Sequence, residues 1–291
     1  MLVDFLIPLI LVLLMVIVGT GLQSAQFAAV LRAPVPLLGG TALQILLLPA
    51  GALAIVYLVE PPLEIAAGLL LVSACPGGAL SNFYCHLGKL NVAVSVLLTA
   101  VSSIAGFLTL PLVLAVVFPL VISAGEVDVP VVGLVLRLLL FLLLPVAVGM
   151  VLRRLMPNAV TRHAVLMRVA GLVLVVLLLG LIFHTQWAGA VRLFEAAIFS
   201  STLFTGFALV AGWLAAVALR QDAATRSVYA IEYAVRNAGV AAVVATASLG
   251  RPEFVIFGAL FVVVQFPLIV LLLLWRRYSH GVKHAPSESG A

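Results

Sequence analysis

The chain has 291 residues, of which 65% are apolar and only 9% are charged, and its formal net charge is +5. Soluble domains carry about 25% charged residues because their surface faces water, so this composition excludes an ordinary soluble protein and predicts one integral membrane domain over residues 1–291. The basic residues are scattered over short loops rather than gathered in one stripe, which argues against a nucleic-acid partner.

Nine apolar segments of spanning length follow one another along the chain, separated by turn residues or charges. Their approximate limits are 5–21, 35–58, 62–87, 91–120, 129–152, 163–184, 194–219, 223–249 and 252–276. We therefore predict an all-α integral membrane fold of nine transmembrane helices. A short polar tail follows over 279–291.

The charges between these segments predict an orientation. If the N-terminus is outside, the cytoplasmic loops hold most basic residues, namely Arg32, Lys89, Arg153, Arg154, Arg162, Arg220, Arg226, Arg276, Arg277 and Lys283. The outer loops hold only Arg192 and Arg251, beside most of the acidic residues. The positive-inside rule then predicts a multi-pass protein of the inner or plasma membrane with a cytoplasmic C-terminus.

Two of the nine spans are interrupted. The third runs into Pro76-Gly77-Gly78, and the eighth contains Glu232, Arg236, Asn237 and Gly239 in an otherwise apolar helix. The two interruptions lie near the ends of the two halves of the chain, approximately 1–122 and 129–277. Interrupted spans at corresponding positions of two halves are typical of an inverted-repeat transporter, and they point to its binding site.

Oxygen-bearing side chains gather around the first interruption. Ser81 and Asn82 follow it, and Ser95 and Thr99 share one helix face because they are four residues apart. Oxygen ligands without sulfur or imidazole are what a hard cation prefers. The alternative is that the hydroxyls only bond back to helix carbonyls.

Glu232 is the strongest single indication of a site. An ionised side chain deep in a bilayer costs at least about 2.5–3.5 kcal/mol, so it marks a pathway or a partner. Arg236 is four residues later, so a structural ion pair on one helix face is the alternative. Gln44 is a lone polar residue in the second span.

These residues resemble the bile acid–sodium symporter family. The resemblance rests on an ordered set of short motifs, namely Ala74-Cys75-Pro76-Gly77-Gly78, Ser81-Asn82, Asn91-Val92-Ala93-Val94-Ser95 with Thr99, Ile231-Glu232, Asn237-Ala238-Gly239 and Gly258-Ala259-Leu260-Phe261. It implies a core domain, in which the two broken helices cross, and a panel domain. The chain corresponds to members that lack the optional first helix.

The resemblance also implies three groups of site residues. The first sodium site would use Ser81, Asn82, Ser95, Thr99 and Glu232. The second would use Gln44, Glu232, the backbone near Tyr233 and Val235, and Arg236, which replaces the family's glutamine. Substrate would contact Ala79, Leu80, Asn237, Gly239 and Gln265. Ala79 replaces a common hydroxyl residue, and Gln265-Phe266 replace a polar pair, so bile acid itself is not the expected ligand.

We therefore predict a monomeric, sodium-coupled symporter of a small organic anion, a carboxylate, that works by alternating access. No enzyme activity and no organic cofactor are expected. Two alternatives stay open: a sodium-independent or proton-coupled carrier in which Arg236 replaces the second sodium, and a membrane sensor or scaffold that does not transport.

Overall fold

The computed structural model describes residues 2–21, 34–121, 132–133, 136, 140 and 143–281. Four parts of the sequence prediction lie outside these residues: the loop with Arg32, the junction of the two halves near 122–129, the beginning of the fifth span and most of the tail. The described residues are helical apart from short connections and one isolated backbone bridge. Their twelve α-helices are α1 Leu2–Gly21, α2 Pro34–Val59, α3 Leu63–Ala74, α4 Leu80–Leu87, α5 Val92–Val117, α6 Leu144–Leu155, α7 Pro157–Arg162, α8 Ala164–Arg192, α9 Phe194–Ala218, α10 Ala223–Ala234, α11 Ala238–Val243 and α12 Val255–Gly281.

Several helices are long and apolar enough to cross a membrane, as the composition predicts. Within the described residues they are Pro34–Val59, Ala164–Arg192, Phe194–Ala218 and Pro252–Arg276, and a bent pair, Val92–Gly106 and Thr109–Leu120, qualifies if counted as one span. The chain is therefore a multi-pass membrane protein. The count of nine spans stays a prediction.

Both predicted interruptions are confirmed as helix breaks. The third span consists of α3 and α4, and the eighth consists of α10 and α11 followed by a π-helical turn over Val244–Ser248. The prediction for the sixth span was too short, because α8 continues beyond residue 184 to Arg192 through a kink at Gln186. The 64° bend between Gly106 and Thr109 was not predicted; Pro111 follows it, and a proline in a helix removes one backbone hydrogen bond.

The helices pack in two neighbourhoods. The helix α1 packs against α6 and α8, while α9 packs against α2, α10 and α12. Three fully buried phenylalanines, Phe204, Phe257 and Phe261, lie in the second neighbourhood, and the ring centroids of Phe204 and Phe257 are each 5.9 Å from that of Phe261. The helix α3 packs against α2 and α12, so both broken spans adjoin this second group.

Candidate functional site

The breaks in the two interrupted spans cross and hydrogen-bond to each other. The N–H of Gly78 donates to the carbonyl of Val235 at 2.9 Å, and the N–H of Asn237 donates to the carbonyl of Pro76 at 3.0 Å. A helix that stops inside a membrane exposes backbone groups that need partners. Here each break supplies a partner for one backbone group of the other.

Two glycines allow the crossing to be this close. A Cβ atom on Gly77 would overlap Oε1 of Glu232, and one on Gly78 would lie 2.9 Å from the carbonyl oxygen of Arg236. The N–H of Gly77 donates to the hydroxyl of Ser102 at 3.1 Å. A side chain at Gly77 would displace the carboxylate of Glu232, and one at Gly78 would push the two breaks apart.

The carboxylate of Glu232 lies at this crossing and is completely buried. Thr99 donates to its Oε1 at 2.7 Å, and Ser95 donates to its Oε2 at 3.2 Å. The hydroxyl of Ser81 is 3.3 Å from the hydroxyls of both Ser95 and Thr99. Four of the five residues predicted for the first cation site therefore form one hydrogen-bonded cluster, contributed by α4, α5 and α10.

Asn82, the fifth residue of that group, is next to Ser81 in the first turn of α4. Its side-chain oxygen is buried and has no hydrogen-bond partner among the described residues. A buried amide oxygen without a partner costs about 1–3 kcal/mol. The oxygen therefore keeps an unused acceptor among the described residues.

The residues predicted for the second cation site do not form a comparable cluster. The side-chain amide of Gln44 donates to the backbone carbonyl of Glu232 at 3.3 Å. The hydroxyl of Tyr233 donates to the carbonyl of Gly40. The carbonyl of Val235 already accepts the bond from the other break. Gln44 and Tyr233 thus attach α10 to α2.

Arg236 does not pair with Glu232, and the prediction that the two share a helix face is wrong. The helix α10 ends at Ala234, so the spacing of four residues no longer corresponds to one helical turn. The residue is buried, and its guanidinium donates instead to the carbonyl of Ser73 at 3.4 Å. Within the described residues, Arg236 and Glu232 form no ion pair, and Nε and Nη1 of Arg236 have no hydrogen-bond partner.

The position of this guanidinium has an electrostatic reason. Ser73 belongs to the last turn of α3, and the carbonyls at a helix C-terminus carry a partial negative charge. A cation is therefore favoured there. Arg236 supplies a covalently attached one.

Of the five residues predicted to contact substrate, four lie beside the crossing and one lies in another helix. Ala79 is exposed at the N-cap of α4, where its methyl group provides no side-chain cap, and Leu80 follows it as the first helical residue. Asn237 caps α11 by accepting from the N–H of Val240 at 3.2 Å, and Gly239 lies in the same turn. These four residues flank the crossing. Gln265 is fully buried in α12, and its amide has no hydrogen-bond partner among the described residues.

Sequence reasoning missed two contributors. Ser102 follows Ser95 by seven residues and Thr99 by three, so helical spacing alone puts it on the same face of α5. Ser73 carried no such signal, because it acts through its backbone carbonyl.

Similar proteins are known. The description of the family whose model matches residues 8–193 is the sodium bile acid symporter family. A probable sodium/metabolite cotransporter, BASS1, of Arabidopsis thaliana is 29% identical over 260 residues, which are 89% of this chain and 64% of that protein. The uncharacterized sodium-dependent transporter YocS of Bacillus subtilis is 29% identical over 236 residues, 79% of this chain and 70% of that protein. The human P3 protein is 28% identical over 80% of this chain and 49% of its own length. The chain thus spans less than two thirds of the plant relative's length.

Proposed function

Since the chain belongs to the sodium bile acid symporter family, we propose that it is a sodium-coupled secondary transporter that moves a small carboxylate by alternating access. The observation that carries the proposal is the buried carboxylate of Glu232 beside the hydroxyls of Ser95 and Thr99, at the crossing of two broken helices. The names of the relatives, which include a sodium/metabolite cotransporter and a sodium-dependent transporter, support the same ion and the same process.

The oxygen spacing suits sodium. Ca²⁺, whose radius is close to that of Na⁺, has oxygen ligands at about 2.3–2.6 Å, so neighbouring ligands at right angles are about 3.3–3.7 Å apart. The hydroxyl of Ser81 is 3.3 Å from those of Ser95 and Thr99. One carboxylate among neutral oxygens favours a monovalent ion. The side-chain oxygen of Asn82, which lacks a partner among the described residues, would complete the set.

The hydroxyl of Thr99 can exchange its hydrogen-bond acceptor when sodium binds. Thr99 lies within hydrogen-bonding distance of Glu232 Oε1 at 2.7 Å and of the Ser95 carbonyl at 3.0 Å. A hydroxyl has one proton and two lone pairs. When sodium binds the carboxylate, Thr99 can donate to the carbonyl and turn its lone pairs toward the ion. The cost of emptying the site is thereby reduced.

The substrate proposal rests on the N-terminus of α4 and on the resemblance. The first turn of this helix begins at exposed Ala79 without a side-chain cap. The N–H groups of Ser81 and Asn82 already donate to the carbonyls of Gly78 and Ala79, so a carboxylate would bind at the partly positive end of the helix beside Ala79 and Leu80. Leu80, Asn237 and Gly239 are beside the same crossing. Gln265 would contribute only in a conformation that exposes its amide, which is buried here.

We further propose that Arg236 replaces the second sodium. Its guanidinium donates to the Ser73 carbonyl at the negative end of α3 and remains protonated at any working pH. The charge stays bound throughout the cycle, so one sodium per cycle is expected. If Arg236 provides all the positive charge that the crossing needs, the carrier is independent of sodium or is driven by protons.

The proposed arrangement is a single membrane domain of nine spans with core and panel parts, active as a monomer in the inner or plasma membrane, with its N-terminus outside. Contacts between helix ends support this topology. Arg153 donates to the carbonyl of Thr20, joining two ends that are both predicted to be cytoplasmic. Arg192 pairs with Glu64 at 2.7 Å, joining two predicted outer ends. Both outer arginines are neutralised, because Arg251 also pairs with an acidic residue, Glu253.

Uptake by reconstituted vesicles tests the function. Radiolabelled acetate, succinate, citrate and cholate would be offered under an inward sodium gradient, under an equal potassium gradient, and with a protonophore. Accumulation that requires sodium and resists the protonophore supports the proposal. Accumulation that the protonophore abolishes supports the proton-coupled carrier. If no anion accumulates and no anion shifts the unfolding temperature, the scaffold alternative is favoured.

A further inference from the structure

The surface of the protein has a groove outside the proposed transport site, formed by three helices. It lies between α9, α10 and α12 and has a volume of about 380 Å³. Its walls are mainly apolar, with lining residues that include Leu209, Trp213, Ala230, Leu272 and Trp275. In a membrane-spanning protein such an apolar groove faces lipid, and an acyl chain is the group that fills it.

One end of the groove is basic. Arg276 lines it and directly follows the apolar run of α12. Arg226, in the first turn of α10, has its guanidinium 5.9 Å from the centroid of the Trp213 ring, and its Nε donates to the carbonyl of Gln221 at 2.9 Å. The nearest acidic residue in sequence, Asp222, is engaged as the N-cap of α10, where it accepts from the N–H of Thr225 at 2.8 Å. Its hydrogen bonds with Thr225 lower the pKa of this carboxyl, so it stays ionised and reduces the local positive charge without cancelling it.

We propose that this groove is a binding site for an anionic phospholipid. The acyl chain lies along Leu209 and Leu272, and the phosphate is bound by Arg276 and by the guanidinium of Arg226, which keeps further N–H groups for it. Two arginines beside two tryptophans at the end of a span form the interfacial pattern that attracts anionic headgroups. The predicted orientation puts this end in the cytoplasmic leaflet, where such lipids are concentrated.

The site would act on the transport machinery through one helix. Ser227 and Ala230 line the groove from α10, and the same helix carries Glu232 two residues later. A lipid bound there fills the space between α10 and its neighbours α9 and α12. It thus supports the half-helix that holds the carboxylate, without contacting the ion or the substrate.

The three tryptophans of the chain allow a direct test. Trp213 and Trp275 line the groove, whereas the third, Trp187, is exposed on α8. In a Trp187→Phe background, all tryptophan fluorescence therefore comes from the groove. The protein would be reconstituted in phosphatidylcholine vesicles with increasing fractions of phosphatidylglycerol whose acyl chains are brominated. Brominated phosphatidylcholine would be titrated in parallel, since bromine quenches tryptophan only at short range.

We expect half-maximal quenching at a brominated phosphatidylglycerol fraction at least about threefold lower than for brominated phosphatidylcholine. The double variant Arg226→Gln/Arg276→Gln should abolish this difference. The matched control Arg154→Gln/Arg162→Gln removes two exposed charges elsewhere and should keep it. If the groove variant does not fold, raising KCl from 50 to 500 mM in the background protein should abolish the preference by screening. Equal quenching by both lipids, or a preference that survives in the groove variant or at high salt, would overturn the proposal.

Discussion

Replacing Glu232 by glutamine tests the ion site most directly, because the substitution removes the charge and keeps the shape. The side chain is completely buried, and Gln retains the oxygen that accepts the bond from Thr99. At the oxygen–ion distance of about 2.5 Å expected for such a cation, one unit charge pair contributes about 7 kcal/mol at an effective permittivity of 20. If desolvation offsets half of this, sodium affinity should fall by a few hundredfold.

The assay is the binding of radioactive sodium to purified protein, with potassium as the competitor. The unfolding temperature in potassium alone should change little, because burying a neutral amide costs less than burying a carboxylate. Glu64→Gln is the matched control, since that carboxylate is near a helix end and pairs with Arg192 at 2.7 Å; its loss should leave sodium affinity unchanged. Sodium binding by Glu232→Gln with an affinity within threefold of the wild type would refute the assignment.

Three further substitutions have definite expected outcomes. Arg236→Gln should raise the Hill coefficient for sodium from one toward two, while Arg236→Lys keeps it near one; a coefficient of one in both variants, at wild-type affinity, would contradict the idea of a built-in cation. Gly77→Ala should cost about 1–3 kcal/mol of unfolding free energy, because its Cβ would overlap a carboxylate oxygen, whereas Gly206→Ala, with no atom within 4 Å, should cost nothing measurable by denaturant titration. Tyr233→Phe should cost about 0.5–1.5 kcal/mol in the same titration, because a buried hydrogen bond to the Gly40 carbonyl is lost. Tyr57→Phe, with a bond at an exposed position, should cost less than half as much, and equal losses would argue against the role of burial.

The positions of the helix breaks could be predicted from the sequence because they depend on local chemistry. Proline followed directly by two glycines at 76–78 strongly disfavours a continuous helix, and Asn237 is a residue that caps a new one. The polar face of α5 was equally predictable, since Ser95 and Thr99 share a face in any helix. The apolar lengths of the spans follow from composition. These local features were enough to predict that the interrupted spans form a candidate site.

What only the tertiary structure decided is which groups meet across the chain. Gly78 pairs with Val235, and Thr99 donates to Glu232 at 2.7 Å, although each pair is more than 130 residues apart in sequence. Sequence spacing suggested that Arg236 could pair with Glu232, but this interpretation assumed an unbroken helix. Because α10 ends two residues before Arg236, the extended backbone directs the guanidinium to the carbonyl of Ser73 on another helix. The extended backbone at Val235 thus redirects the long side chain that follows, and spacing rules derived from regular helices do not apply beyond that point.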